Sequence, residues 1–339
     1  MPAPYPMTGH AHPIPPPATQ PGESRRFSVI IVHRNGRDML LGTLDALFAA
    51  LDGEADEVFL VDNGSSDGSV AAVAARHPAV RIIENGCNHG FARANNQAIA
   101  LARGRYLLLL NSDTRVEADI LTRLDGHFGR QPDAGIIGAS LVGSEGEAQH
   151  SSHQFPSFRG ELGLPAPRPA TRPTTGDGLK EADWVVGACM AVRAAAVDQA
   201  GPLEGAFFFY YEDVEWCLRM RRHGWRVFVA EDVRVTHLRG RSTLAVRKEA
   251  LIEQLSSRLI YYRKAFGRPR YLLLFAHRLL RLTLSGSFWG TLNLITLGRR
   301  PALRARAQRY LHPLSWILAG RPDDWGLPDK CPYDPKDAP

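Results

Sequence analysis

Four short segments in the first third of the chain are rich in β-branched and other apolar residues, without the regular alternation of a half-exposed strand. They are residues 28–32, 57–61, 80–83 and 106–110. Runs of this kind suit strands that helices cover on both faces, as in parallel sheets. Helical stretches lie between them, at about residues 38–51, 67–76 and 91–103. The alternation predicts an α/β fold, a Rossmann-like and mostly parallel sheet flanked by helices.

The middle of the chain has a weaker pattern. Residues 143–180 are rich in Gly, Pro, Ser and Thr, which predicts a long and often functional loop. Order returns at residues 184–188. A helix is predicted to begin near Glu212 and to end at Gly224. Two short strands are predicted after it, at residues 226–229 and 233–235.

From about residue 246 onward the pattern is helical, with large apolar faces interrupted by arginines. Between Arg241 and Arg321 there are sixteen Lys and Arg residues and two acids, a net charge of +14 in a chain whose total is +6. Such asymmetry indicates an anionic partner, either a membrane surface or nucleic acid. Two interpretations stay open: solvated helices packed on the rest of the protein, or interfacial helices lying on anionic lipid.

Length and composition add a division of the chain. A total of 339 residues, 44% of them hydrophobic and 22% charged, is ordinary for a globular protein with a real core. We expect a Pro-rich disordered tail at residues 1–25, an α/β domain at 26–243 and a basic helical extension at 244–339. The tail lacks the order of a signal peptide, and no apolar run reaches the roughly 18 residues of a spanning helix. We therefore expect a cytoplasmic protein, with peripheral attachment to the inner face of the membrane left open.

The four cysteines, Cys87, Cys189, Cys217 and Cys331, are far apart and form no C-x-x-C pair. This spacing argues against a disulfide framework or a zinc site, and it suits a reducing compartment.

Polar clusters follow three of the predicted strands, at residues 33–35, 62–67 and 111–113. Ligands of open α/β sheets bind beyond the carboxyl ends of the strands. The three clusters therefore predict one shared crevice. No G-x-G-x-x-G follows the first strand and no G-x-x-x-x-G-K-[ST] occurs, so the usual phosphate cradles are missing and a bound metal becomes the expected holder of a diphosphate.

Several residues of these clusters have chemistry to offer. Asp113 can bind a hard cation such as Mg²⁺ or Mn²⁺, and the imidazole of His237 suits manganese if it lies nearby. Asp62 can accept hydrogen bonds from a nucleoside. Glu212 and Asp213 follow an aromatic run that would exclude water, so one of them can act as a general base. Each also has a purely structural interpretation. Asp62 and Asp113 could belong to ordinary strand-end turns, and His237 could be a surface or hydrogen-bonded histidine. The two acids at the helix start could simply complement the helix dipole.

In their order and spacing these stretches resemble glycosyltransferase family 2, over about residues 27–243 and most strongly its bacterial rhamnosyltransferase-like branch. The matching stretches are residues 28–32 with Asn35, 61–67, 88–91 with Asn95 and Asn96, 110–113, 184–188, 209–215 with Arg219, and 237–242. The resemblance implies the GT-A fold.

The same resemblance implies roles for individual residues. Asp213, with its neighbour Glu212, would be catalytic, and Asp113 and His237 would bind the metal. The donor-binding residues would be Asn35, Asp62, Gly90, Asn95, Ser112 and Asp113. Trp184 and Gly187 would lie on the acceptor side.

What the resemblance implies for activity is an inverting transfer of one sugar from a nucleotide-sugar donor, dTDP-rhamnose or a UDP-sugar. The acceptor would be a saccharide, lipid-linked in many relatives, in cell-surface polysaccharide or glycolipid synthesis. Two departures stand out: Asn111 replaces the first acid of the D-x-D-like motif, and His33-Arg34 replaces the usual Thr-Tyr, so that Arg34 would stack on the nucleobase. The Q-x-x-R-W signature of processive synthases is absent, which favours single transfer.

Two other classes remain as alternatives. A sugar-phosphate nucleotidyltransferase would share the sheet, but it normally has a Gly-rich basic loop after the first strand, which residues 33–37 match poorly. A non-catalytic nucleotide- or nucleic-acid-binding protein would use the basic segment. RNA-recognition aromatics and zinc spacing are absent, so no nucleic-acid partner is expected.

Overall fold

The architecture was derived from a computed structural model that describes residues 25–53, 55–165, 178–238, 247–322 and 324–331. Eleven strands lie in these ranges. They are β1 (Arg25–His33), β2 (Asp56–Asp62), β3 (Arg81–Glu84), β4 (Gly104–Leu110), β5 (Thr114–Val116), β6 (Ala134–Val142), β7 (Ser152–His153), β8 (Leu179–Glu181), β9 (Trp184–Val185), β10 (Cys189–Arg193) and β11 (Arg226–His237).

The same ranges contain nine helices. They are α1 (Arg37–Phe48), α2 (Ser69–Arg76), α3 (Gly90–Ile99), α4 (Ile120–Arg130), α5 (Phe158–Glu161), α6 (Ala194–Ala200), α7 (Glu212–Arg222), α8 (Arg247–Ile295) and α9 (Pro301–Leu318). The main sheet has the order β3-β2-β1-β4-β10-β6-β11-β5, with β8 also pairing β11, while β7 and β9 form a separate pair.

The predicted α/β alternation is confirmed in the first third of the chain, where β1 to β4 alternate with α1 to α3. The strands β3, β2, β1 and β4 are parallel, and β10 then runs antiparallel to both β4 and β6. The prediction of two short strands after Gly224 is wrong. Residues 226–237 form the single strand β11, whose pairing with β6 shifts register between Ala230 and Arg234. That irregularity interrupts the hydrophobic pattern without ending the strand.

Both faces of the sheet are buried over β1, β2 and β4, which explains why these strands lack alternation, whereas the edge strand β3 is partly exposed. Val29 and Ile31 of β1 face a core shared with α1, α2 and α4, whereas Ile30 faces a second core that includes Ala94 and Ala98 of α3. Helices α6 and α7 cover the other half of that second face, with Trp216 fully buried. The result is a three-layer arrangement in which helices cover both faces of the central sheet.

The basic C-terminal segment is helical, as predicted. Helix α8 is kinked at Gly267, which has a φ of 76°, and Pro269 follows within the same helix. A proline lacks the N–H that an uninterrupted helix would use, so the break falls where the sequence dictates. Helices α8 and α9 pack on each other and on α7 through a separate apolar cluster that includes Phe207 and Trp316. The expected tail at residues 1–25 lies outside the described residues apart from Arg25, as does the expected boundary near residue 243.

No helix in the described ranges combines the length and apolarity needed to cross a membrane.

The expectation of unpaired cysteines is wrong for two of the four. Cys87 and Cys331 form a disulfide, with their Cα atoms 5.1 Å apart, while Cys189 and Cys217 are buried free thiols. The bonded pair is separated by 244 residues in sequence. Cysteine spacing identifies local motifs only. It cannot show that the segment containing Cys331 packs against the loop after β3, which contains Cys87.

Candidate active site

Three carboxylates that are far apart in sequence lie at one edge of the sheet. Asp62 is the last residue of β2, and Asp113 follows the end of β4. Asp213, in the first turn of α7, accepts a hydrogen bond of 3.2 Å at Oδ2 from the backbone N–H of Gly187. Gly187 lies in the turn two residues before β10, which begins opposite the end of β4. The three carboxylates therefore lie at the same end of the strands, as the positions of Asp62 and Asp113 after their strands predict. Their chemical roles remain a prediction.

Asp62 has one oxygen engaged and one available. Its Oδ2 accepts from the backbone N–H groups of Gly64 and Ser65, at 3.1 and 2.9 Å. Its Oδ1 is buried and has no hydrogen-bond partner among the residues that the structure describes. A buried carboxylate oxygen without a donor is costly. A ligand N–H would satisfy this oxygen, so the arrangement fits recognition of a nucleoside.

Asn35 joins the loops that follow β1 and β2. It adopts the left-handed conformation, with φ 55°, which asparagine tolerates better than most residues. Its backbone N–H donates to Ser65 Oγ, and its Oδ1 accepts from Ser66 N–H. Nearby, Asp67 is partly buried, which opposes ionisation, but hydrogen bonds from Ser69, Arg37 and Gly36 hold the pKa of its carboxyl below the usual range. Asn35 thus fixes the shape of the loop with its backbone and side chain.

Gly90 is required by its surroundings. It has a φ of 78°, and an added Cβ would lie 2.4 Å from the carbonyl oxygen of Phe208. The carbonyl of Gly90 accepts from Asn63 Nδ2, and its N–H donates to Asn88 Oδ1, both at 3.0 Å. The N–H of Phe91 donates to the same Phe208 carbonyl. The start of α3 is therefore locked between the loop after β2 and the aromatic run before α7.

Asn95 and Ser112 have supporting positions. The side chain of Asn95 is 1% exposed, its Nδ2 donates to Phe91 O at 2.8 Å, and its Oδ1 is unpaired within the described part of the chain. Asn95 is therefore buried within the first turns of α3 rather than exposed at the site. Ser112 contributes a backbone carbonyl that accepts from the Thr43 hydroxyl at 3.0 Å, which ties the turn after β4 to α1.

The two expected metal ligands lie side by side. His237 Nε2 is 3.4 Å from Asp113 Oδ1, and both side chains are largely buried. Gln149 holds the imidazole from behind: its Oε1 is 3.3 Å from His237 Nδ1, and its Nε2 donates to the His237 carbonyl. Such partners orient a ligating imidazole and fix its tautomer. One carboxylate and one imidazole facing each other fit Mn²⁺ or Mg²⁺, with the remaining positions left to ligand oxygens and water.

A second group of metal-type ligands, Cys87, His89 and Cys331, lies within 4.8 Å of one another. Both of its sulfur atoms are used in the disulfide, so this cluster is not the expected metal site.

The two acids at the start of α7, Glu212 and Asp213, differ in their burial. Glu212 is buried, and no donor from any described residue reaches its Oε2. Burial and the neighbouring Asp213 charge raise the pKa of Glu212 well above its usual value. Asp213 is partly exposed, and burial raises its pKa to about 6, opposed by hydrogen bonds from the Gly187 and Val214 N–H groups. Asp213 is thus the acid that can meet a ligand and exchange a proton near neutral pH.

Trp184 lies on a different wall of the same region. Its ring stacks on His153 with centroids 4.7 Å apart, and its Nε1 donates to the carbonyl of Gln154 at 3.0 Å. Trp184 belongs to β9, two residues before the chain reaches Val186 and Gly187. The indole is thus fixed by His153 and Gln154, and its predicted acceptor-side role is not tested by these contacts.

A C-terminal segment that the sequence did not assign to the site also contacts it. Residues 327–331, which we call the strap, pair with Asn88 in both directions: Asn88 N–H donates to Asp329 O, and Cys331 N–H donates to Asn88 O. The carboxylate of Asp329 forms an ion pair with Arg34, and Lys330 forms one with Glu253 of α8. The strap is thus held by residues that follow β3 and β1, on either side of Asp62 in the sheet order.

Other residues of the site were also missed from sequence. Asn63 and Gln149 carry no motif of their own, although Asn63 directly follows Asp62 and could have been included on that ground. Gln149 stands in the predicted loop, where only its spatial neighbour His237 reveals a role.

The fold is shared with solved glycosyltransferases. The structure of GalNAc-T7 with UDP, GalNAc and Mn²⁺ matches with a TM-score of 0.52 at 14% sequence identity, over 63% of this chain and 44% of that one. At this identity the likeness shows the fold alone, and that fold is the GT-A class of glycosyltransferases.

The family assignment comes from sequence. The family model of glycosyl transferase family 2 matches residues 28–199, about half of the chain, and the chain belongs to that family. It is 30% identical over 207 residues to the N-acetylglucosaminyl-diphospho-decaprenol L-rhamnosyltransferase of Mycobacterium tuberculosis, covering 55% of this chain and 67% of that protein. It is 27% identical over 215 residues to the low-salt glycan biosynthesis hexosyltransferase Agl10 of Haloferax volcanii, covering 62% of this chain and 66% of that protein. The resemblance to the rhamnosyltransferase-like branch is confirmed.

Proposed function

We propose that this protein is an inverting glycosyltransferase that transfers one sugar from a nucleotide-sugar donor, dTDP-rhamnose or a UDP-sugar, to a lipid-linked saccharide. The product would enter cell-surface polysaccharide or glycolipid synthesis. The observation that carries the proposal is the partly exposed Asp213 carboxylate, held by Gly187 at the edge where Asp62 and Asp113 also lie. Family membership supports the reaction class, and the name of the M. tuberculosis relative supports a diphospho-prenol-linked acceptor.

In the proposed reaction, Asp213 accepts the proton of the acceptor hydroxyl while that oxygen attacks the anomeric carbon. The nucleoside diphosphate departs from the opposite face, so one displacement inverts the anomeric centre. The Gly187 and Val214 N–H groups bind Asp213 and fix its orientation. A base of pKa about 6 is ionised at neutral pH and still basic enough to take up a proton. The buried Glu212 would stay neutral and support the turn.

Asp113 and His237 would hold a divalent cation, Mg²⁺ or Mn²⁺, with Gln149 orienting the imidazole. When bound, the cation would neutralise charge that builds up on the leaving diphosphate. Asp62 would receive a nucleoside N–H at its Oδ1. Trp184 would offer its ring to the acceptor saccharide.

We further propose that residues 244–339 form a membrane-binding extension on the α/β domain of residues 26–243, at the cytoplasmic face of the membrane. Ten of the twelve exposed large hydrophobic side chains in the described chain lie between Leu272 and Leu318. Leu294, Ile295 and Leu297 are each more than 70% exposed. Exposed apolar side chains next to many arginines fit the interface of an anionic bilayer, where the chains insert and the charges meet headgroups.

Nucleotide release tests the reaction. The full chain is incubated with dTDP-rhamnose or UDP-sugars, Mg²⁺ or Mn²⁺ and a synthetic prenyl-diphosphate-linked N-acetylglucosamine, and the nucleoside diphosphate and saccharide product are measured. We expect product with at least one donor in wild type and none with Asp213→Asn. A parallel incubation with nucleoside triphosphate and sugar 1-phosphate tests the nucleotidyltransferase alternative. Pyrophosphate release there, without transfer from any sugar nucleotide, would replace our proposal.

Liposome flotation tests the proposed membrane binding by residues 244–339. We expect the full chain to float with vesicles containing phosphatidylglycerol and to float less with phosphatidylcholine alone. Leu284→Glu and Phe288→Glu should reduce flotation. Leu101→Glu, at an exposed leucine outside the extension, should leave it unchanged. Absence of flotation with anionic vesicles would refute the membrane proposal and leave the enzymatic one intact.

A further inference from the structure

A strongly basic cavity lies between α8 and α9, apart from the strand-end site. Its volume is about 270 Å³, and four of its lining side chains are arginines: Arg258, Arg278, Arg281 and Arg309. Tyr310 also lines it, and its lining residues include no acid. Grouped guanidinium ions repel one another. The arrangement therefore favours an anionic ligand that bridges them.

Arg278 shows most clearly that a partner is missing. Its Nε is buried and has no acceptor in the described chain. Burial lowers the pKa of its guanidinium, and the charges of Arg258 and Arg281 lower it further, against weaker attraction from Tyr262 and Glu161. Glu161 is already bonded to the Tyr262 hydroxyl. A buried donor on a cation is stabilised best by an anion, and guanidinium groups bind phosphate oxygens with two parallel hydrogen bonds.

The cavity is connected directly to the proposed base. Arg258 Nε donates to the hydroxyl of Tyr211 over 2.7 Å. Tyr211 is the residue that caps α7, immediately before Glu212 and Asp213. Tyr210 and Tyr211 both have positive φ, at 72° and 67°, a conformation that costs energy for residues with side chains. Arg258 thus links the cavity to the turn that precedes the acid pair.

The other side of the cavity leads to exposed apolar side chains. Arg281 lies between Leu280 and Leu284 in α8, and these two leucines are 57% and 62% exposed. The cavity is thus linked through Arg258 to the turn before the proposed base, and through Arg281 it adjoins exposed leucines of α8. A molecule with a saccharide at one end, a prenyl chain at the other and a diphosphate between them has the matching order of groups.

From this placement we infer that the four-arginine cavity binds the diphosphate of the lipid-linked acceptor. The inference rests on the proposed function, which it deepens by assigning a binding site to the acceptor. The diphosphate of the sugar donor has a separate place, because Asp113 and His237 lie at the strand ends whereas the cavity is built entirely from α8 and α9. The arginines would position the acceptor so that its hydroxyl reaches Asp213.

The direct test is to measure the binding of farnesyl diphosphate to the full chain by calorimetry. Inorganic pyrophosphate and farnesol serve as the headgroup and lipid probes. We expect Arg278→Gln to weaken farnesyl diphosphate binding about tenfold or more, since each hydrogen bond to a charged group contributes roughly that factor. Arg278→Lys keeps the charge but cannot form two parallel hydrogen bonds, so its affinity for farnesyl diphosphate should lie between those of wild type and Arg278→Gln. The matched control is Arg304→Gln, an exposed arginine of α9 outside the cavity, which should bind like wild type.

Measurements of nucleotide binding, folding and competition by pyrophosphate complete the test. Binding of UDP or dTDP with Mn²⁺ should be unchanged in Arg278→Gln, and thermal melting should show that the variant is folded. Unaltered farnesyl diphosphate affinity in Arg278→Gln would overturn the inference, as would displacement of farnesyl diphosphate by equimolar pyrophosphate, which would indicate a site for soluble phosphates. In both cases, transfer by wild type would leave the proposed function standing. Failure of wild type to release nucleotide from any sugar nucleotide would instead refute the proposed function.

Discussion

The backbone N–H of Gly187 donates to Oδ2 of Asp213 over 3.2 Å, so the turn that precedes β10 holds the carboxylate at the start of α7. Burial raises the pKa of Asp213 to about 6 even though this bond and the one from Val214 N–H favour the ionised form. A general base must be deprotonated to act. We therefore expect kcat/KM for sugar transfer to fall as the pH drops through about 6, because the protonated fraction of Asp213 then increases.

Substitution identifies which acid is responsible. Asp213→Asn should lower the transfer rate by about 10²–10⁴-fold, the usual contribution of a general base, with metal-dependent nucleotide binding retained. Glu212→Gln, which keeps the shape of a neutral buried side chain, should cost far less. A larger loss in Glu212→Gln than in Asp213→Asn would reverse the assignment of the two acids.

The same pKa predicts an effect on stability. A carboxyl group whose pKa is higher in the folded chain than in the unfolded one contributes fully below the unfolded value, here 3.8, and loses that contribution as the pH rises through about 6. Asparagine does not ionise. Asp213→Asn should therefore unfold at a higher temperature than wild type at pH 8, with a smaller difference at pH 5.

Thermal melts at the two pH values check this, with Asp198→Asn as a control at an exposed aspartate of α6. A gain in Asp213→Asn of the same size at pH 5 and pH 8 would contradict the prediction, because it would not depend on ionisation.

The expected metal ligands give a fourth prediction. Asp113→Ala should reduce the affinity for UDP or dTDP in Mn²⁺ to its value without metal, because the variant loses the carboxylate expected to face the cation. His237→Ala should weaken the metal-dependent part. Gln149→Ala leaves both ligands in place but removes the partner of the imidazole, and about tenfold weaker metal binding is expected.

Calorimetry with and without Mn²⁺ measures these effects, and His223→Ala, at an exposed histidine just after α7, is the control. Equal Mn²⁺-dependent binding in Asp113→Ala and wild type would exclude this pair as the metal site.

The strand ends were predictable from sequence for a physical reason. Buried parallel strands are continuous apolar runs, and the polar residues that follow Val61 and Leu110 must lie at the same edge of the sheet. The remaining contacts depend on tertiary packing. Nothing local marks Gln149 as the partner of His237, or Arg258 as the partner of Tyr211, because each pair joins segments that only the completed fold brings together. The family resemblance points to Asp213 as the base, but the deeper burial of Glu212, which gives a physical reason for that choice, is visible only in the fold.

The contact between Arg34 and Asp329 gives the last prediction. The strap that carries Asp329 is bonded to Cys87 and Asn88 after β3 and to Arg34 after β1, while Asp62 ends the strand between them. The strap therefore crosses the place where a nucleoside would meet Asp62. We expect Cys331→Ser to weaken binding of UDP or dTDP while binding of inorganic pyrophosphate with Mn²⁺, which needs only the metal site, stays the same.

The effect should be specific to the wall that the strap forms. Cys87→Ser and the double variant should match Cys331→Ser, since all three remove one and the same bond, and each should melt at a lower temperature by an amount corresponding to about 2–5 kcal/mol. Asp329→Asn, which keeps the disulfide but loses the charge facing Arg34, should weaken nucleotide binding with little change in melting temperature, because an exposed ion pair contributes at most about 1 kcal/mol to stability. Asp119→Asn, which removes a comparable exposed partner of Arg123 on α4, serves as control. Tighter nucleotide binding after Cys331→Ser would mean that the strap blocks the pocket instead of completing it, and equal loss of pyrophosphate binding would mean that breaking the bond disturbs the metal site as well.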